Sequence, residues 1–359
     1  MFRTIAAVVL VYLSLFGCKE KGSVTTQDKI VPVITTEKVA QDTDDPAIWV
    51  HPTDPSLSLI IGTDKGGDTG KGGLYLFTLD GKIDTLKTVT LQRPNNVDIA
   101  YGLDINGVKT DIAVCTERNT NSIRVFSMPE MKVLDDGGIP VFEDDSLRAP
   151  MGVALYTDLI ADKIYAIVGR KTGPKEGYLY QYLLKANGVG TVKGELVRKF
   201  GKFSGKKEIE SIVVDNELGF IYCSDEGVGV RKYYAHPDSS NIELALFAKS
   251  GVREDHEGLS IYKTNDGKGY ILLSDQQANQ FHIFPREGSN KGPHDHPLIK
   301  IIKTSTDESD GSEVSNVSFN NTFKHGLFVA MSTDGTFQFY RWEDMAGNDL
   351  LISPTNFQK

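Results

Sequence analysis

Ala47-Ile48-Trp49-Val50, a turn, and a second apolar run ending in Gly62-Thr63-Asp64-Lys65 form the unit that decides the fold. A third strand follows, and then the unit recurs. Its later copies begin at Asn96-Val97-Asp98-Ile99, Gly152-Val153-Ala154-Leu155, Ser211-Ile212-Val213-Val214, Gly258-Leu259-Ser260-Ile261 and Asn316-Val317-Ser318-Phe319. A spacing of about 47–59 residues suits a blade of four antiparallel strands. The expectation is an all-β six-bladed β-propeller, with mostly four-stranded antiparallel blades around a central channel.

The second strands end in charge. After Asp64-Lys65 come Glu117-Arg118, Arg170-Lys171, Asp225-Glu226, Asp275 and Asp334. Antiparallel pairing sets the end of each second strand beside the start of the first. What precedes the first strands is also polar: Asp44-Asp45, Asn95-Asn96, Glu208-Ile209-Glu210, Asp255-His256-Glu257, and Asp310 with Glu313. Only the third blade is bland, with Pro150-Met151. One rim therefore gathers more than ten carboxylates, and that rim is the expected functional surface.

The chain of 359 residues, with 35 Gly, has room for one large β domain behind a leader. Arg3, the apolar run Ile5 to Phe16 and the lipobox-like Leu15-Phe16-Gly17-Cys18 mark residues 1–17 as a lipoprotein signal peptide. Residues 18–38 read as a lipidated Cys18 with a polar tether, and 39–359 as the propeller. No Asp adjoins Cys18, a pattern similar to that of lipoproteins sorted to the bacterial outer membrane, on its periplasmic or surface face. Membrane contact is expected only through the anchor at Cys18. Cys115 and Cys223, in apolar strands of non-adjacent blades, read as buried free thiols. A net charge of −9 and no basic stripe argue against nucleic acid as a partner.

Facing carboxylates cannot all stay ionised without counter-charge. Hard oxygen donors in number favour several Ca²⁺ ions. Zinc is disfavoured, with 7 His and neither an HExxH nor a CxxC pair. Lys65, Lys71, Arg118, Arg170, Lys171 and Lys175 lie among the acids and suit a polyanion, Arg118 by a two-pronged grip. Metal, cations and water together suit phosphate ester hydrolysis. Residues 66–73 lack the Ser or Thr and the following helix of a P-loop, and no Cys-x₅-Arg, Arg-His-Gly or Gly-x-Ser-x-Gly motif occurs.

Asp44-Asp45-Pro46-Ala47-Ile48-Trp49 closely resembles the opening of the β-propeller phytases. The likeness continues through Asn95-Asn96-Val97-Asp98, Tyr165-Ala166-Ile167-Val168 with Lys171, Glu210, Asp225-Glu226, Asp255-His256-Glu257-Gly258-Leu259 and Gly326-Leu327-Phe328-Val329-Ala330, across about residues 40–345. It implies a calcium-dependent 3-phytase that hydrolyses phosphomonoesters of myo-inositol hexakisphosphate, taken as its calcium complex, by a monomer. By that resemblance Asp45, Glu210, Glu226, Glu257 and Asp310 hold calcium, with Asp44, Asp98, Asp225 and Asp255 in support and Asp307 competing for a place. Arg118, Lys171 and either Lys71 or Lys65 would grip phosphate, with Arg170 beside them. Glu210 or Glu226 would orient or deprotonate a calcium-bridged hydroxide that attacks in line, without a covalent intermediate. Met151 stands where the family pattern has a tyrosine, leaving that contact absent or supplied by Tyr178 or Tyr180. The competing expectations are a calcium-dependent lactonase or esterase propeller, which needs no cationic cluster, and a non-catalytic binding propeller.

Overall fold

The computed structural model describes residues 29–353. The residues read as a signal peptide (1–17), Cys18 and the stretch read as a tether, as far as residue 28, lie outside the described residues. Six four-stranded antiparallel sheets are present, five of them built from four strands consecutive in sequence. The sixth takes its outer strand from the chain's beginning: Ile34 pairs with Phe339 and Thr35 with Gln338. The ring is thus closed by this early segment, as a six-bladed propeller. Residues from Ile30 onward, read as part of a polar tether, instead pack on the propeller, with Ile30 bridging to Thr304.

Inner strands run over Thr43–Trp49, Pro94–Ile105, Pro150–Asp158, Ile209–Asp215, His256–Lys263 and Ser312–Ser315. The sixth differs from the expectation at Asn316–Phe319. Ser312-Glu313-Val314-Ser315 offers one apolar residue in four, a weak strand signal, yet it pairs with Ala330 to Leu327. Phe319 instead plugs a cluster with Phe323 and Ile48 between the last blade and the first. Apolar cores of this kind fill the seams between neighbouring blades, where the alternate residues of facing strands meet. Cys115 and Cys223 are buried and free, as expected. Near the end of the described chain, Trp342 is fully buried and stacks on Tyr262 with ring centroids 3.7 Å apart.

One irregularity positions the site. In five blades the pairing between first and second strands slips at the same height, between Thr43 and Pro46, Pro94 and Val97, Pro150 and Val153, Ile209 and Ile212, and His256 and Leu259. Such a bulge bends the strand and re-aims the extra residues. The residues caught in the slips include Asp44-Asp45, Asn95-Asn96, Met151, Glu210 and Glu257. Four of these bulges therefore deliver polar residues to the mouth of the channel, and the third blade's delivers Met151.

Candidate active site

At five of the six second-strand ends, one residue holds the rim together and the next faces the ligand space. Asp64 accepts from the backbone N–H groups of Gln41 (3.0 Å), Asp42 (2.9 Å) and Gly66 (2.8 Å). Glu117 accepts from Gln92 N–H at 2.7 Å, and Asp275 from Arg253 N–H at 3.0 Å. Asp225 accepts from Ser204 N–H (2.9 Å) and hydroxyl (2.7 Å) and from Arg231. Arg170 fills the same place with opposite polarity: it is fully buried, donates to Leu147 O at 2.9 Å, pairs with Asp145 and lies over the Phe142 ring. These latches pin the loop entering each inner strand. The following residues, Lys65, Arg118, Lys171, Glu226 and Gln276, line a common basin of about 300 Å³.

Around that basin the structure brings together Lys65, Arg118, Lys171, Glu210, Glu226, Asp255, Glu257 and Asp310 from the expected set. Asp44 adjoins it, bonded to Asn95 Nδ2 at 3.0 Å and to Lys65. Five of the expected residues lie away from this basin. Arg170 and Asp225 are latches, buried away from the ligand space. Asp98 lies deeper in the channel and accepts from Leu155 N–H at 2.7 Å and Ile99 N–H at 2.6 Å. Asp307 belongs to an outer loop with Asn279 and Thr333, and Lys71 is exposed at the start of a third strand. Nor does a tyrosine replace Met151: Tyr178 is buried, and Tyr180 donates its hydroxyl to Asp144 at 3.1 Å. Asp45 sits beneath Asp44, accepting from Val97 N–H at 3.0 Å.

Glycines hold this register. A Cβ on Gly311 would come within 2.5 Å of Asp45 Oδ1, and one on Gly258 within 2.7 Å of Asp310 O. The blades bearing Glu257, Asp310 and Asp45 can approach this closely only because both positions lack side chains.

The centre of the basin is bare acid. Glu210, Glu226 and Glu257 are 8%, 5% and 5% exposed, and among the described residues none donates a hydrogen bond to them or pairs with them. Oxygens of Glu208, Glu210 and Glu226 lie within 4.8 Å of one another, as do those of Glu226, Asp255 and Glu257. Burial, then Asp44 and Glu208, push Glu210 well above the usual carboxylate range. Glu257 is raised likewise by burial and Glu210, and Glu226 is pushed up to about 8 by burial, Glu208 and Asp255. Buried acids cost several kcal/mol to ionise unless paired, so bare ones packed together fit a cation. Oxygen donors alone suit a hard ion such as Ca²⁺. Asn95 and Asn96 add buried side-chain oxygens without partners.

The periphery is compensated instead. Lys65 lies 2.7 Å from Asp310 and 3.2 Å from Asp44. Lys171 pairs with Glu208 and Lys207 with Asp255. Arg118 has no acidic partner among the described residues; its Nη2 abuts Met151 Sδ and its Nε is buried without an acceptor. A half-buried guanidinium left this way is ready for an incoming anion. Sequence reasoning assigned no role to Glu208, Arg93, Gln276 or Lys207. Gln276 could have been found as the residue after a latch. Arg93 could not, because it reaches the basin through a left-handed turn (φ 55°) tied to Gly70 and Arg118 by backbone hydrogen bonds.

Comparison with known proteins agrees with this geometry. Residues 1–339 match the family model described as Phytase. A 3-phytase of Bacillus subtilis (strain 168) is 30% identical over 341 residues, covering 90% of this chain and 84% of that one. Among solved structures, the Dos1 propeller aligns with 84% of this chain and 68% of its own at 11% identity and a TM-score of 0.43, too low to decide anything. On the strength of the first two matches, the chain belongs to the phytase family.

Proposed function

We propose that the protein is a calcium-dependent 3-phytase that releases phosphate from the calcium complex of myo-inositol hexakisphosphate. The observation that carries this is the bare triad Glu210, Glu226 and Glu257 facing the unpaired Arg118 across one basin. Acids without counter-charge call for cations, and a cation-loaded basin edged by Arg118, Lys171 and Lys65 calls for a polyanion. Glu210, Glu226, Glu257 and Asp310 would hold the ions, with Asp44 and Asp255 beside them. When bound, calcium supplies Lewis acidity and lowers the pKa of a water.

The protein's own residues then do the rest. Arg118 and Lys171 hold the phosphoryl oxygens and orient phosphorus for in-line displacement. Glu226 or Glu210 accepts the proton of the attacking water. The new bond joins water oxygen to phosphorus, the ester P–O bond breaks, and the departing alkoxide takes a proton. No Ser, Thr, Cys or His lines the basin among the described residues, which supports water as the nucleophile. Trapping a phosphoenzyme from labelled substrate would exclude this route.

The decisive experiment measures phosphate release from phytate by protein lacking residues 1–18, with calcium, with excess chelator, and after calcium is restored. Release that disappears and returns supports the proposal. No release from folded, calcium-loaded protein would overturn it. Export as an outer-membrane lipoprotein anchored at Cys18 and action as a monomer belong to the same proposal. Mass spectrometry of the membrane-fraction protein and light scattering test them.

A further inference from the structure

Lys65 is the most enclosed of the three paired lysines, with 18% of its side chain exposed, against 47% for Lys171 and 49% for Lys207. Its backbone N–H is fixed on Asp42 O at 2.7 Å, so its ammonium can change partners only by swinging the side chain. That ammonium sits on Asp310 Oδ2 (2.7 Å) and Asp44 Oδ1 (3.2 Å), with Asp42 Oδ2 at 4.0 Å. Asp310 and Asp44 belong to the set that would hold calcium. One group therefore compensates the acids a cation needs, and it lines the basin a phosphate must enter. It cannot do both at once.

We propose that Lys65 is the protein's own counter-ion at Asp44 and Asp310, displaced by a divalent cation and thereby released to bind a phosphate of the ligand. This rests on the calcium-phytase function proposed above and adds a coupling to it. While paired, Lys65 is held as an ammonium, because Asp44 and Asp310 more than offset the burial that opposes its charge. Loss of the Asp44 and Asp310 contacts leaves it only the more distant Asp42 carboxylate, 4.0 Å away, until phosphate arrives. Cation and polyanion then bind cooperatively through this one side chain. In the metal-free protein the same lysine keeps two buried carboxylates from standing unpaired. Lys171 on Glu208 and Lys207 on Asp255 repeat the arrangement at the adjoining acid clusters, in more exposed positions.

Calorimetric titration with calcium chloride, in the absence of any anion, tests this on wild type, Lys65→Met and Lys65→Arg. Lys65→Met removes the competitor, so one site should bind calcium about tenfold more tightly, the scale of one charge-assisted contact. Lys65→Arg, whose fork holds both carboxylates more firmly, should bind it more weakly. A second titration of the calcium-loaded proteins with myo-inositol hexasulfate should show about tenfold weaker binding by Lys65→Met. Calcium affinity unchanged in both variants would reduce Lys65 to a plain phosphate ligand and overturn the coupling. Unchanged hexasulfate affinity would reduce it to a structural counter-ion, with the same consequence. In both cases calcium uptake by the wild type keeps the proposed function standing. No uptake by the wild type would end both. Circular dichroism in chelator checks folding, and Lys65→Arg preserves the pair should Lys65→Met not fold.

Discussion

Replacing Glu226 with Gln should stabilise the metal-free protein and disable the enzyme. Glu226 is 5% exposed, and burial, Glu208 and Asp255 push its carboxyl up to about 8 from an ordinary 4.5. An acid raised in this way stabilises the fold fully below its unfolded value and loses that contribution as pH climbs through the folded one. Metal-free stability should therefore decline between about pH 4.5 and 8. At about 1.4 kcal/mol per pKa unit the bound is about 5 kcal/mol, and water at the basin edge reduces it to about 1–3 kcal/mol. Thermal unfolding in chelator at pH 8 should place Glu226→Gln about 2–6 °C above wild type, while at pH 4.5 the two should nearly coincide. With calcium the order should reverse, because the variant has lost a ligand, and phosphate release should fall about a hundredfold or more. A variant no more stable than wild type in chelator at pH 8 would refute the reasoning from bare, desolvated acids.

The latch-and-ligand division makes a paired prediction. Arg170→Met should lower stability by about 1–3 kcal/mol by removing its bonds to Leu147 O and Asp145 while leaving KM near its normal value, and Lys171→Met should raise KM with little change in melting temperature. Thermal melts beside kinetics separate them, and the opposite pattern would invert the assignment. Arg118→Lys keeps the charge but loses the fork, so kcat/KM should drop about ten- to a hundredfold in a protein that melts normally. Truncation to Asp42 removes Ile34–Thr35, opens the sixth blade and should lower the melting temperature by about 5 °C or more; no change would mean the ring does not depend on that strand.

The architecture was largely readable because apolar repetition survives in every blade. The sixth inner strand was misplaced because it is the least apolar, and its neighbour Val317-Phe319 attracts attention while packing as a loop. At the site the error had a different origin. Arg170 and Lys171, or Asp225 and Glu226, are adjacent residues of like charge, and a list of charged strand ends treats each pair as one feature. Backbone geometry separates them, because one neighbour turns toward the loop and the next toward the basin. That alternation has a period of two residues, and it would have ranked Lys171, Glu226 and Gln276 above Arg170, Asp225 and Asp275 from sequence alone. The bulges were unreadable, since register slippage belongs to a pair of strands and neither strand carries it alone.

Elsewhere in the propeller local rules agree with one another. Buried Arg286 is answered by Asp215, and the lone buried acids Asp64 and Asp225 by backbone or side-chain donors. Among the described residues, only at the channel mouth do three buried carboxylates stand without a partner, brought there by bulges and by glycines that let the blades approach closely. Such a conflict lowers stability and persists where something outside the chain resolves it. Lys65 resolves it partly for Asp44 and Asp310, but no side chain does so for Glu210, Glu226 and Glu257. A ligand that completes this site must bring positive charge to the centre and accept it from the edge, a demand that a calcium-bound polyphosphate meets and that a neutral ester or a free polyanion does not.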